Sequence, residues 1–294
     1  MTLPTIDTTV LYPDGSLSSS GVVLHREDLP DGRAAIILDS TAFHPVDAAW
    51  PDQPADRGTM SRSIEPYSRV EILDAIVAAT DGDSLFIGSD APVKKGTPEW
   101  AFVVAHLVDG AAPFAEGDAV TVSVDAEYRR SLSAGHTACH LASLALNQAL
   151  AGAWRKDVAT DAAGSPNFDA LAIDSSTIVP DGSVDVYRIG KSLRKRGFDP
   201  ESLADPGAVA ERANGSLSAW IATGAHASVE RPNSLLTGRR EWVCDLPDGR
   251  ISIPCGGTHI GPLDAFEVVS VELAAEQIDG ATIVTMRTES TPRR

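Results

Sequence analysis

Cysteine is scarce and odd in number, three residues in 294. That count argues against a paired disulfide framework and for a reducing compartment. Basic charge is also short: 24 Lys and Arg face 41 Asp and Glu, for a net charge of −17. A surface of that sign repels phosphate backbones at long range, so DNA and generic nucleic-acid binding are not expected. The basic runs that exist, Lys94-Lys95, Lys191 to Arg196 and Arg239-Arg240, read as solvated surface charge or as a local patch. Long apolar runs are missing as well. The longest, Trp100 to Val108, is interrupted by His106 and falls far short of a bilayer span. Met1 to Leu11 has neither the basic n-region nor the apolar h-region of a signal peptide. These absences together give the expectation of a cytoplasmic protein with no membrane segment.

What is present suits core-building. Hydrophobic residues make up 43% and charged residues 22%, an ordinary globular balance, with length for one large domain or two. The first ~125 residues read as β-rich. Gly21 to Leu24, Arg33 to Leu38, Ser84 to Gly88, Ala101 to Val108 and Ala119 to Val124 are short apolar or alternating runs separated by Pro-Asp-Gly, Asp-Gly-Asp and Glu-Gly-Asp turns. Strands so spaced suggest a small barrel or sandwich.

The pattern changes at Asp125. From Ser131 to Trp154, Leu141, Leu144, Ala145 and Ala149 recur at helical spacing without a proline. Asp205-Pro206 opens a second helix, which Asn214-Gly215 is placed to break. Leu171 to Ile173 and Val184 to Ile189 read as strands. Glu241 to Leu246 and Arg250 to Pro254 flank a Pro-Asp-Gly hairpin turn, and Phe266 to Leu273 and Thr282 to Met286 close the chain. The expectation is an α+β protein. A β-barrel-like domain over 1–125 precedes an α+β domain over 126–294, with helices packed on one face of an antiparallel sheet.

Two four-spaced pairs carry the chemistry. His136-Thr137-Ala138-Cys139-His140 puts two imidazoles at i and i+4 on a helix of about 3.6 residues per turn, hence on one face. Cys255-Gly256-Gly257-Thr258-His259 follows a strand, and its two glycines let the backbone fold so that thiolate and imidazole face inward. Thiolate plus neutral imidazole is a zinc donor set. Four protein donors normally close a structural site, whereas catalysis needs an open position, so one of them, His259 foremost, is a candidate to sit off the metal. Cys139 is a possible substitute ligand, with core packing as its plainer role. The residue after His136 is Thr137, not the glutamate of a zinc protease, so protease chemistry is not expected.

With those residues in view, the chain resembles the editing domain of alanyl-tRNA synthetase and the freestanding AlaX-type alanyl-tRNA editing proteins. His-Thr-Ala-Cys-His-Leu at 136–141 is similar to the family's first metal motif and Cys-Gly-Gly-Thr-His at 255–259 to its second. Leu38 to Pro45, Gln53 to Gly58, Ala105 to Val108 and the approach through Asp125 to Arg129-Arg130 extend the likeness over roughly residues 20 to 275. The resemblance implies a standalone, zinc-dependent deacylase that hydrolyses the ester of mischarged tRNA, serine or glycine on the alanine-specific tRNA. It also implies that His136, His140, Cys255 and His259 hold the metal. Thr41 falls where the family has a threonine that helps distinguish serine from alanine, and Gln53 where a glutamine ends a glycine-rich segment. Here that segment, Val46 to Asp52, has no glycine and is about three residues longer. Two other readings therefore stand beside the first: a metal-dependent hydrolase of a small ester or amide, and a non-catalytic binding module stabilised by zinc.

Overall fold

The computed structural model of the chain describes residues 3–62 and 69–293. It divides into two compact units. One comprises residues 1–129, 231–240 and 256–258, the other residues 130–230, 241–255 and 259–294.

The first unit is mostly strand, with two single turns of 3-10 helix at Tyr12–Asp14 and Gly88–Asp90. β1 (Thr9–Val10) pairs with β4 (Ser40–Thr41). The rest form one sheet: β2 (Ser18–Asp28), β3 (Arg33–Leu38), β5 (Gly58–Arg62), β6 (Arg69–Ile72), β7 (Asp74–Thr80), β8 (Leu85–Ile87), β9 (Ala101–Asp109) and β10 (Ala119–Val124). Their order is β6-β5-β10-β2-β3-β9-β7-β8, every pairing is antiparallel, and among the described residues the order is open at β6 and β8. Arg33 to Leu38 is a continuous apolar run for a reason visible in its packing. Ala34, Ile36 and Leu38 enter one apolar cluster while Ala35 and Ile37 enter another, so alternate side chains are buried on both faces. β9 does the same, with Phe102 and Val104 in the first cluster and Val103 and Ala105 in the second.

Late pieces of chain complete this unit. Val10 N–H donates to Ser234 O (2.8 Å), Leu236 N–H donates to Thr8 O (3.0 Å), and Leu236 is buried in the cluster of Val10 and Tyr12. A buried ion pair fixes its far end. Arg129 Nε donates to Asp56 Oδ1 (2.7 Å) and its Nη2 to Asp56 and to Ala42 O, while His44 N–H donates to the same carboxylate.

The second unit mixes helix and antiparallel sheet. Helix α1 (Ala126–Ala149) starts at Asp125, whose Oδ1 accepts from Glu127 N and Tyr128 N and so satisfies two of the helix's free donors. It begins five residues before, and ends five residues before, the stretch expected from periodicity. After it come α2 (Phe168–Ala172), β11 (Ile173–Val179), β12 (Gly182–Ile189), α3 (Lys191–Lys195), α4 (Pro206–Ala222), β13 (Ala227–Glu230), β14 (Glu241–Leu246), β15 (Gly249–Pro254), β16 (Phe266–Ile278) and β17 (Ala281–Pro292). Two sheets result, β11-β12-β17-β16 and β13-β14-β15. Ala138, Leu141, Ala142 and Ala145 of α1, Val209, Ala213 and Leu217 of α4, and Trp242, Val271 and Val284 from the sheets share one core. The fold is α+β with antiparallel sheets.

Two expectations are corrected. Leu171 and Ala172 are helical, closing α2 under an Asn167 cap that accepts from Ala170 N (3.0 Å); the strand starts only at Ile173. Asn214-Gly215 does not break α4. Asn214 Nδ2 donates to Val271 O (3.0 Å) and its Oδ1 accepts from Val271 N (2.7 Å), a pair of bonds to β16 that outweighs the low helix propensity of the dipeptide.

Candidate metal centre

His136 and His140 lie one turn apart on α1, their ring centroids 4.9 Å from each other. What lets this turn of helix lie where it does is Gly135. A Cβ built there would stand 2.4 Å from Val179 O and 2.5 Å from Gly182 O, backbone atoms of the β11–β12 hairpin. β15 ends at Pro254, and the next residue is Cys255. The bend through Gly256 and Gly257 returns the chain so that His259 meets the same helix turn, 4.5 Å from His136 and 5.1 Å from His140 between ring centroids.

The four donor atoms of His136, His140, Cys255 and His259 all lie within 4.8 Å of one another. Cys255 Sγ is 3.4 Å from His136 Nε2 and 3.1 Å from His259 Nε2. Zinc bonds of about 2.3 Å to sulfur and 2.0–2.1 Å to nitrogen, set tetrahedrally, separate donors by roughly 3.5 Å. The donor set fits an ion on a second ground. His140 Nε2 is buried and makes no hydrogen bond, which costs about 1–3 kcal/mol unless something binds it. These four residues thus form a group able to hold a metal ion. His259 belongs to it on the same footing as the others.

Protonation states follow from the surroundings. Burial alone pushes His136 down to about 4, and burial together with His136 carries His140 well below the ordinary imidazole value. Both rings are therefore neutral at pH 7, as ligation requires. Thr137, fully buried, stands beside His259. Its hydroxyl donates to Ser133 O (2.9 Å), accepts from Ile260 N (3.1 Å) and lies 3.3 Å from both Ile260 O and His259 Nδ1, while His259 Nε2 is the atom near Cys255 Sγ.

Compared with known proteins, the chain matches no protein-family model and no curated protein sequence.

Cys139 is not one of the four. Its thiol points to Asp185 Oδ1 (3.6 Å), where burial and then the Asp185 charge push it well above its ordinary value. Thr41 and Gln53 both belong to the first unit and are buried. Thr41 Oγ1 lies 2.9 Å from His106 Nε2 and accepts from Phe43 N (3.1 Å). Since His106 Nδ1 donates to Ile36 O (3.1 Å), Nε2 is the acceptor and Thr41 the donor. Gln53 clasps Thr258 from both sides: its Nε2 donates to Thr258 Oγ1 (2.9 Å) and its Oε1 accepts from Thr258 N (3.0 Å). Thr258 directly precedes His259 in the chain. No sequence signal singled out Trp242, whose ring stacks on His140 at 5.1 Å.

His106 gives a pH prediction independent of the metal donors. Burial holds it down to about 4 against an ordinary 6.5. The unfolded chain therefore binds a proton that the folded one refuses. Stability is complete above pH 6.5 and falls as pH drops toward 4, by about 3 kcal/mol from this group. Asp169, pushed up to about 6 mainly by burial, works in the opposite direction as pH falls. Urea unfolding of wild type and His106→Gln from pH 7.5 to 4.5 isolates the histidine. The variant is expected to start less stable and to lose less over that range; parallel curves would contradict the assignment.

Among the described residues, no helix is long and apolar enough to cross a membrane.

Proposed function

We propose that the chain is a zinc-dependent hydrolase that cleaves the aminoacyl ester of mischarged alanine-specific tRNA, removing serine or glycine. One observation carries the reading. Two motifs more than a hundred residues apart, the very pair that resembles the alanyl-tRNA editing proteins, bring four donor atoms within 4.8 Å. Zinc is the metal proposed because thiolate and neutral imidazole are its preferred donors. When bound it supplies a Lewis acid for an ester carbonyl and a lowered pKa for water near neutral pH.

The protein's own residues do the rest. His136 and His140 are kept unprotonated by burial, and the Thr137 hydroxyl beside His259 Nδ1 would help hold that ring with Nε2 toward Cys255. Thr41 and Gln53 enter as selectors of the amino acid on the strength of the resemblance; their hydrogen bonds to His106 and Thr258 would hold them in fixed rotamers. The first unit enters as a barrel-like fold. In support, only Leu73 separates β6 from β7, which pair with β5 and β9 respectively, so two consecutive strands stand far apart in the order of the sheet.

A second reading, a structural zinc in a binding module, is favoured by the presence of four protein donors, which suffice to close a tetrahedral shell. A third, hydrolysis of a small ester or amide, is favoured by the glycine-free segment Val46 to Asp52 with its exposed Trp50. Metal analysis joined to a panel of Ser-, Gly- and Ala-charged tRNA separates the three. The expected result is about one zinc per chain and release of serine or glycine with alanine retained. Turnover of free aminoacyl esters without response to tRNA would select the small-molecule reading. Zinc without turnover on either substrate class would select the structural one.

A further inference from the structure

Trp242 is the second residue of β14, the central strand of its sheet, opposite Val229 on β13 and Ile253 on β15. It is fully buried and the largest such side chain among the described residues. Its ring lies 5.1 Å from that of His140 at an interplanar angle of 28°, and 5.9 Å from that of His259 at 37°. The indole Nε1 is buried and donates to nothing. An unpaired N–H in the interior is costly, and buried tryptophans normally find an acceptor. A phenylalanine would fill the core here without that cost. What the indole adds is a broader and more electron-rich face, laid against a metal donor.

We infer that Trp242 is a positioning residue of the metal centre, whose ring face holds His140 in its ligating orientation and strengthens the site's grip on a divalent cation. The inference rests on the reading of the four donors as a metal site. An imidazole that shares its lone pair with a cation takes on positive character, and the face of an indole attracts positive charge more strongly than that of a phenyl ring. The stack also excludes water from one side of the imidazole and limits its rotation, as partners just outside a ligand shell do.

The test compares wild type, Trp242→Phe and Trp242→Leu, using zinc competition for affinity and cobalt(II) as the optical probe. Chelator-treated samples are checked for helix content and cooperative melting. Zinc affinity is expected to fall roughly tenfold to a hundredfold in the leucine variant and about threefold in the phenylalanine variant. The visible bands of the cobalt protein should shift in the leucine variant, a change that a merely core-filling role would not produce. Cobalt should quench tryptophan emission in wild type, and that quenching should largely vanish in Trp242→Phe. Should Trp242→Leu fail to fold, the phenylalanine variant decides: unchanged affinity and unchanged quenching overturn the inference. A folded leucine variant with wild-type zinc affinity and cobalt spectrum overturns it too, leaving the metal reading intact. A wild-type protein that takes up neither zinc nor cobalt removes both, and is told apart because the parent itself is silent.

Discussion

His140→Ala is expected to remove most of the stabilisation that zinc would give the wild-type protein under the proposed reading. Structural zinc sites of this donor type bind with apparent free energies of about 10–16 kcal/mol, so one ligand in four is worth roughly two to three orders of magnitude in affinity. An ion that binds only the folded state adds about 4 kcal/mol when free zinc stands a thousandfold above its Kd. For a chain of this size that is a rise in Tm of roughly 6–7 °C. At the same free zinc the alanine variant should gain only about 0.4–1.4 kcal/mol. The substitution also opens a space beneath Trp242 in the core, so the variant melts lower even under chelator; the quantity to compare is the increment due to zinc. An equal increment in both proteins would remove His140 from the metal. Deacylation, where wild type shows it, should vanish in the variant as well.

Gly135→Ala is expected to lose at least about 3 kcal/mol of stability and to weaken zinc binding without touching a ligand. In an ordinary helix interior the change would help by about 1 kcal/mol. Here the added methyl would sit 2.4 Å from Val179 O, 2.5 Å from Gly182 O and 2.7 Å from Gly182 N. No flexible side chain is available to give way. The hairpin cannot easily retreat either, since a Cβ at Gly182 would meet Thr288 O at 2.2 Å. Overpacking therefore wins over propensity, α1 must lift, and His136 lifts with it. Chemical denaturation gives the first effect and zinc competition the second. A variant as stable as wild type, with the same affinity, would show that this close approach is not what seats the helix.

Much of this was legible before any coordinates. The expected strands at Arg33 to Leu38, Ala119 to Val124 and Glu241 to Leu246 coincide with β3, β10 and β14. His136, His140, Cys255 and His259, singled out by their spacing, lie together in a group that could hold a metal ion. The rest was hidden for identifiable reasons. α2 is five residues long and depends on one side-chain cap, so it has no periodicity to read. The continuity of α4 through Asn214-Gly215 depends on bonds to Val271, more than fifty residues away. Nothing in the local sequence marks Gly135, because its reason for being glycine lies in the carbonyls of another element. Nothing marks Trp242 either, since stacking on His140 leaves no trace in local spacing.

The first unit borrows Arg231 to Arg240 and Gly256 to Thr258 from the far end of the chain. Leu236 fills its interior beside Val10 and Tyr12, and Thr258 is what Gln53 grips. A ribosome delivers those pieces more than a hundred residues after the last strand of the sheet. The sheet must then wait, with part of its interior unfilled, until they emerge, and a fragment ending at Arg129 would keep that gap for good.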